Sequence, residues 1–204
     1  MKRFLSIAGA FAAGLVTLGA SAHAQGASPN QFAADAAIGF AVPVGDYGTG
    51  LNTGIDLMGA LEYHPRTTWP LYFRGELGWD HFGIDGFSAN SDITRFAVDA
   101  LYDVPIPNSL LQPYALAGVG LYHVSVSVDQ DCGTDASGNP IFCTSASNGS
   151  TGLGINLGGG LRYQLGRGAQ AYVEVRYQLP LTGPGALSDS PFVPFQFGIR
   201  YSLR

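Results

Sequence analysis

From residue 36 onward the chain alternates apolar and polar residues in short runs divided by turn residues, the period-2 pattern of strands with two unlike faces. Over 55–63, Ile55, Leu57, Leu61 and Tyr63 share one face, with Asp56 and Glu62 on the other. Next, Leu71, Phe73, Leu77 and Trp79 oppose Tyr72, Arg74, Glu76 and Asp80. Phe96, Val98, Ala100, Tyr102 and Val104 oppose Arg95, Asp99 and Asp103. Leu153, Ile155, Leu157, Leu161, Tyr163 and Leu165 oppose Asn156, Arg162 and Gln164. Val173, Val175, Tyr177 and Leu179 oppose Tyr172, Glu174, Arg176 and Gln178; Phe195, Phe197, Ile199, Tyr201 and Leu203 oppose Gln196, Arg200 and Ser202. Two runs are less regular. Over 36–44, Ile38, Phe40 and Val42 alternate with small residues. In 111–129, Tyr122, Val124, Val126 and Val128 are assigned to the apolar face, with His123, Ser125 and Ser127 opposite. The total is eight strands, an even number.

The connections fall at about 45–53, 64–70, 85–92, 105–110, 130–149, 166–168 and 181–191. The odd-numbered ones tend to be long, polar and acidic; the even-numbered ones are tight and carry Pro or Gly. A transmembrane barrel has this asymmetry, with short periplasmic turns and longer external loops. A soluble sandwich has little reason to keep it through seven connections.

The faces separate charge completely. Arg74, Arg95, Arg162, Arg176 and Arg200, with Asp56, Glu62, Glu76, Asp80, Asp99, Asp103 and Glu174, all oppose the large apolar residues. In a soluble protein that face would be the wet exterior. In an outer-membrane barrel it is the lumen, and the apolar face meets lipid. Two features favour the second reading. Tyr and Trp cluster near strand ends, as interfacial girdles do, and the strands carry Arg without Lys, suited to forked carboxylate pairs in a narrow space. An eight-stranded barrel is only wide enough to be filled by side chains, so these twelve residues are expected to form an ion-paired plug.

Composition adds the address. Lys2 and Arg3, an apolar stretch from Phe4 to Leu18 and the small-x-small segment Ala22-His23-Ala24 read as a signal peptide over 1–24, cleaved before Gln25, with the barrel domain over 25–204. The apolar stretch is too short for a spanning helix. Without the leader the chain keeps eight arginines against 15 acidic residues and no lysine, which argues against a nucleic-acid partner. Cys132 and Cys143, the only cysteines, are read as a local disulfide of an oxidising compartment.

Over Asp35 to Arg204 the chain resembles the small outer-membrane β-barrel families, the OmpA transmembrane domain and OmpX among them. Pro43-Val44-Gly45-Asp46-Tyr47-Gly48 resembles the Pro-x-Gly-Asp ending of their first strands. Gly198-Ile199-Arg200-Tyr201-Ser202-Leu203 resembles the Gly-x-x-aromatic-x-hydrophobic signal of the last strand, although Arg204 stands where such chains usually end on an aromatic residue. The resemblance implies an all-β, eight-stranded, antiparallel up-and-down transmembrane barrel in the outer membrane. It also implies dealings with lipid, periplasmic chaperones and the barrel-assembly machinery through Gly198, Tyr201 and Leu203, and a monomer.

No catalytic, metal or cofactor site is expected. His123-Val124-Ser125 could serve a lipid-A-modifying enzyme, but a polar lumen or rim position accounts for it. Asp129, Asp131, Asp135 and Asn139 lack the spacing of a calcium loop. Gly152-x-Gly154 and Gly158-Gly159-Gly160 open no helix, so they make no nucleotide loop; they are read as leaving lumen space beside arginines. The expected role is non-enzymatic, in envelope integrity or surface contact, with a narrow channel or carrier as the alternative.

Overall fold

The structure is a computed structural model that describes residues 31–45, 51–65, 70–84, 89–128, 131–134, 140–142, 146–166, 168–181 and 191–203. The leader over 1–24 lies outside these residues. The strands are β1 (Phe32–Pro43), β2 (Gly54–Tyr63), β3 (Leu71–Gly83), β4 (Ala89–Asp103), β5 (Leu111–Val128), β6 (Asp131–Thr134), β7 (Pro140–Phe142), β8 (Ala146–Gln164), β9 (Ala169–Pro180) and β10 (Phe192–Leu203). Eight of them close a barrel in the order β1-β10-β9-β8-β5-β4-β3-β2, every pair antiparallel; β6 and β7 form a separate hairpin between β5 and β8. The barrel closes where β1 meets β10, in register from Phe32 opposite Leu203 to Pro43 opposite Phe192. Closure removes the free edges that hydrocarbon would not tolerate.

The exterior confirms the inverted faces. Ile38 is 60% exposed, Val119 61%, Leu157 53% and Phe197 56%, while Arg74, Arg95 and Arg176 are 1% exposed or less. On β5 the apolar exterior runs from Leu111 to Leu121. Those residues, rising about 3.3 Å each and tilted by roughly 40°, span about 25 Å, the height of a hydrocarbon band. Leu157→Arg, near the middle of this band, is expected to cost about 2–4 kcal/mol. Unfolding by urea from lipid vesicles checks it.

The structure corrects the face assigned to the outer end of β5. Tyr122 is buried inside and Val124 packs against the interior, whereas Leu121 and His123 are exposed outside. The pleat does not slip; its surroundings change. Above Leu121 the strand leaves the hydrocarbon, so the outer face turns polar with His123 and Ser125. Inside, Ala41, Phe82, Ile93, Tyr122 and Phe192 cap the lumen, with Leu51 and Val124 against them. The hydrophobic face of the sequence therefore changes sides at the membrane boundary.

The same boundary explains strands longer than expected. β4 starts at Ala89 rather than near Arg95, and β8 at Ala146 rather than near Leu153, within the connection expected over 130–149. At the opposite end the turns are short. Between β8 and β9, Leu165 N–H donates to the Ala169 carbonyl at 3.0 Å. Gly168 there has φ +85°, a conformation suited to glycine.

Candidate functional site

All twelve charged strand residues lie in the interior, Asp103 half-buried at the end nearest the short turns and the rest buried. Two-residue alternation places them there, and antiparallel register stacks them in tiers. Beneath the apolar cap, where Phe82 and Phe192 meet edge-on at 5.8 Å, Arg95 forms the first hub. Its Nη2 donates to Asp56 at 2.8 Å and its Nε to Glu76 at 3.3 Å, and Nη1 pairs with Asp80. Gln196 Nε2 donates to the other Asp56 oxygen at 2.6 Å.

The middle tier spans the lumen. Arg74 Nη2 donates to both oxygens of Glu174, at 3.1 and 3.0 Å, from strands on opposite sides of the barrel. Arg176 Nη1 donates to Glu76 at 2.5 Å and to Asp99 at 3.5 Å, and its Nε pairs with Glu174. Tyr114 Oη donates to Glu174 at 2.5 Å.

In the tier nearest the short turns, Arg162 donates to Glu62 at 2.7 Å and to Asp103 at 3.1 Å. Its guanidinium lies 4.4 Å from the Tyr114 ring centre and 4.8 Å from that of Tyr72, a cation–π sandwich. Arg200 Nε donates to the second Glu62 oxygen at 2.5 Å, and Tyr72 Oη to Asp103 at 3.0 Å.

Sequence reasoning missed Asp35. It is 2% exposed and stands opposite Arg200 and Ala60, yet neither carboxylate oxygen has a hydrogen-bond partner. The available signal was parity: Asp35 continues the inward series of Ala37, Gly39 and Ala41. With it the interior holds, among the described residues, eight carboxylates against five guanidiniums. Both side-chain polar atoms of Asn156 and of Gln178, opposite each other on β8 and β9, are also buried and unpartnered.

Gly154, Gly158 and Gly160 clear lumen space, two of them for tyrosines rather than the expected arginines, whereas Gly159 shares the outer face of Leu157 and Leu161. A Cβ on Gly160 would reach the Tyr114 ring at 2.7 Å, one on Gly154 the Tyr122 ring at 2.7 Å, and one on Gly158 the Arg176 stem at 3.0 Å. Gly198 has a packing role too, because Tyr172 lies across it. Tyr201 is exposed toward lipid and Leu203 is half-buried at the end of β10.

His123 and Ser125 are not in the lumen. They stand on the outer face, where His123 Nδ1 lies 2.8 Å from Thr151 Oγ1 rather than being held by a carboxylate. Among the described residues no group of three or more His, Cys, Asp or Glu could hold a metal. Asp129, Asp135, Asn139 and Cys143 lie outside the described residues.

The family model for the outer membrane protein beta-barrel domain matches residues 10–193. Among solved structures, the chain is similar to Neisserial surface protein A at TM-score 0.64 and 17% identity, covering 86% of this chain and 99% of that one. It is similar to a major outer membrane protein from Thermus thermophilus at TM-score 0.55 and 16% identity, covering 83% and 97%. A third likeness is to the N-terminal β-barrel domain of Pseudomonas aeruginosa OprF, at TM-score 0.50 and 15% identity, covering 85% and 97%. These identities speak for the fold. No curated protein matches the sequence.

Proposed function

The chain belongs to the outer membrane protein beta-barrel family and resides in the outer membrane, and from that premise we propose that it is a closed, non-enzymatic barrel whose lumen is plugged by ion pairs. In this reading it reinforces the envelope and holds its long connections outside for surface contact. The observation that supports it is the span of the middle tier, where Arg74 and Glu174 join strands across the lumen through two hydrogen bonds. In this reading such pairs, under a cap of Phe82, Phe192 and Tyr122, would bar a hydrated ion.

The test is conductance in planar bilayers. The folded barrel is expected to show no reproducible single-channel steps. Selective, repeated steps would instead favour a narrow channel. That second reading draws on one observation, the unpartnered amides of Asn156 and Gln178, which suit water inside the outer half of the barrel.

Cleavage before Gln25, insertion by the assembly machinery through Gly198, Tyr201 and Leu203, a monomeric state and a Cys132–Cys143 disulfide complete the proposal. The disulfide would contribute roughly 2–3 kcal/mol to the outer connection. Protein extracted from the outer membrane is expected to begin at Gln25 and to take up a thiol alkylator only after reduction. Labelling without reduction would refute the bridge.

A further inference from the structure

Asp99 is the acid of the middle tier that the arginines serve least. Its Oδ2 lies 3.5 Å from Arg176 Nη1 and 3.7 Å from Arg74 Nε. Both guanidiniums hold other acids more closely: Arg176 Nη1 donates to Glu76 at 2.5 Å and Arg74 Nη2 to Glu174 at 3.0 Å. Asp99 Oδ1 has no partner at all, although the residue is 0% exposed. A buried carboxylate without a cation of its own is costly.

The chain has no further cation to send there. Beyond the five lumen arginines, the sequence after residue 24 holds only Arg66, Arg167 and Arg204 and no lysine. Arg66 and Arg167 stand in the sequence at short turns and Arg204 just past β10, all at the end of the barrel opposite the cap. The long connections contain neither Lys nor Arg.

Oxygen surrounds the unserved atom. A Cβ added at Gly118 would collide with Asp99 Oδ1 and would lie 2.7 Å from Asn156 Oδ1. The carboxylate from β4 and the amide from β8 thus reach one hollow above a residue without a side chain. Asn156 stands between Gly118 and Gln178 in the ladder, and both amides are fully buried with neither polar atom partnered. Gln178 is opposite Phe192, and the Tyr122 ring lies across Gly154, two residues from Asn156, so the hollow sits directly beneath the apolar cap. Turning the Asn156 amide over would give Asp99 a neutral donor, but no charge, and would leave Gln178 as it is.

We propose that this hollow, bounded by Asp99 Oδ1 and the side-chain oxygens of Asn156 and Gln178, is a binding site for a monovalent hard cation such as sodium, enclosed as the barrel folds. Oxygen donors suit a hard ion, and one carboxylate supplies one charge, where a divalent ion draws on more. Water would satisfy the same atoms without supplying the missing charge. The inference rests on the plugged-lumen reading and adds a cation to the plug.

The test is urea unfolding of the folded chain in vesicles, in sodium chloride and in choline chloride of equal ionic strength. An ion that binds only the folded state lowers the unfolding constant about tenfold for each tenfold rise in its concentration above saturation. Sodium is therefore expected to raise the urea midpoint where choline does not. Asn156→Leu and Gln178→Met are each expected to abolish the difference and to unfold in choline no earlier than the unsubstituted chain, since each removes an unpartnered polar group. Gln170→Met, at the opposite end of the lumen, is expected to keep it. Identical midpoints in the two salts would overturn the proposal and leave a water or a proton in the hollow. A sodium effect that survives Asn156→Leu would overturn it too, by placing the ion elsewhere. Either result leaves the plug standing, whereas single-channel steps would remove the reading beneath it.

Discussion

Arg95→Met is expected to destabilise the folded barrel by about 3–5 kcal/mol, the cost of removing one partner from a buried ion pair. Arg95 is 0% exposed and holds Asp56, Asp80 and Glu76; its loss leaves Asp80 without its cation and Asp56 with Gln196 alone, while Glu76 keeps Arg176. Methionine nearly fills the volume, so lost packing adds little. The imbalance decides the direction: eight interior carboxylates already exceed five guanidiniums, and losing one cation widens the excess. Asp80→Asn narrows it and should cost much less. Combining the two should restore part of the stability lost with Arg95 alone, because the asparagine no longer needs a cation. Urea unfolding in detergent or vesicles measures all three. Equal losses for Arg95→Met and Asp80→Asn would show that the hub acts by shape rather than charge.

The faces were legible wherever the strand stayed within hydrocarbon. Between Leu71 and Asp80, or Val173 and Leu179, each outward residue is apolar and each inward one polar or small, so parity alone sorts them. Parity misled in β5, because the outward series passes from Leu121 to His123 just as the inward series passes from Gly120 to Tyr122. A strand crossing from lipid to water exchanges its apolar face, and local alternation cannot mark that height. Asp35 escaped for another reason: the alanines around it give β1 too little contrast to show where the strand begins. The partners within the plug were beyond sequence reading. Arg74 meets Glu174, a hundred positions along the chain, only because the barrel closes.

That closure sets the second large effect. Gly39→Ala is expected to cost about 3 kcal/mol or more, at the upper end of overpacking penalties. A Cβ at Gly39 would collide with the Phe195 carbonyl oxygen, and would lie 2.8 Å from the Phe195 carbonyl carbon and 3.0 Å from Gln196 Cα. These are backbone atoms of β10, which cannot rotate aside as a side chain would. They belong to the seam that joins the first strand to the last, where Gly39 stands opposite Gln196. The methyl group must therefore push β10 away from β1 or weaken its ladder, and the whole barrel depends on that ladder. Gly75→Ala is the matched control. Nothing lies within 4 Å of its added Cβ, so its effect should stay within about 0.5 kcal/mol. Gel mobility before and after boiling, with urea midpoints, separates the pair. If Gly39→Ala folds as stably as Gly75→Ala, the β1–β10 seam tolerates a spacing wider than its register implies, and closure is not the constraint that holds the plug together.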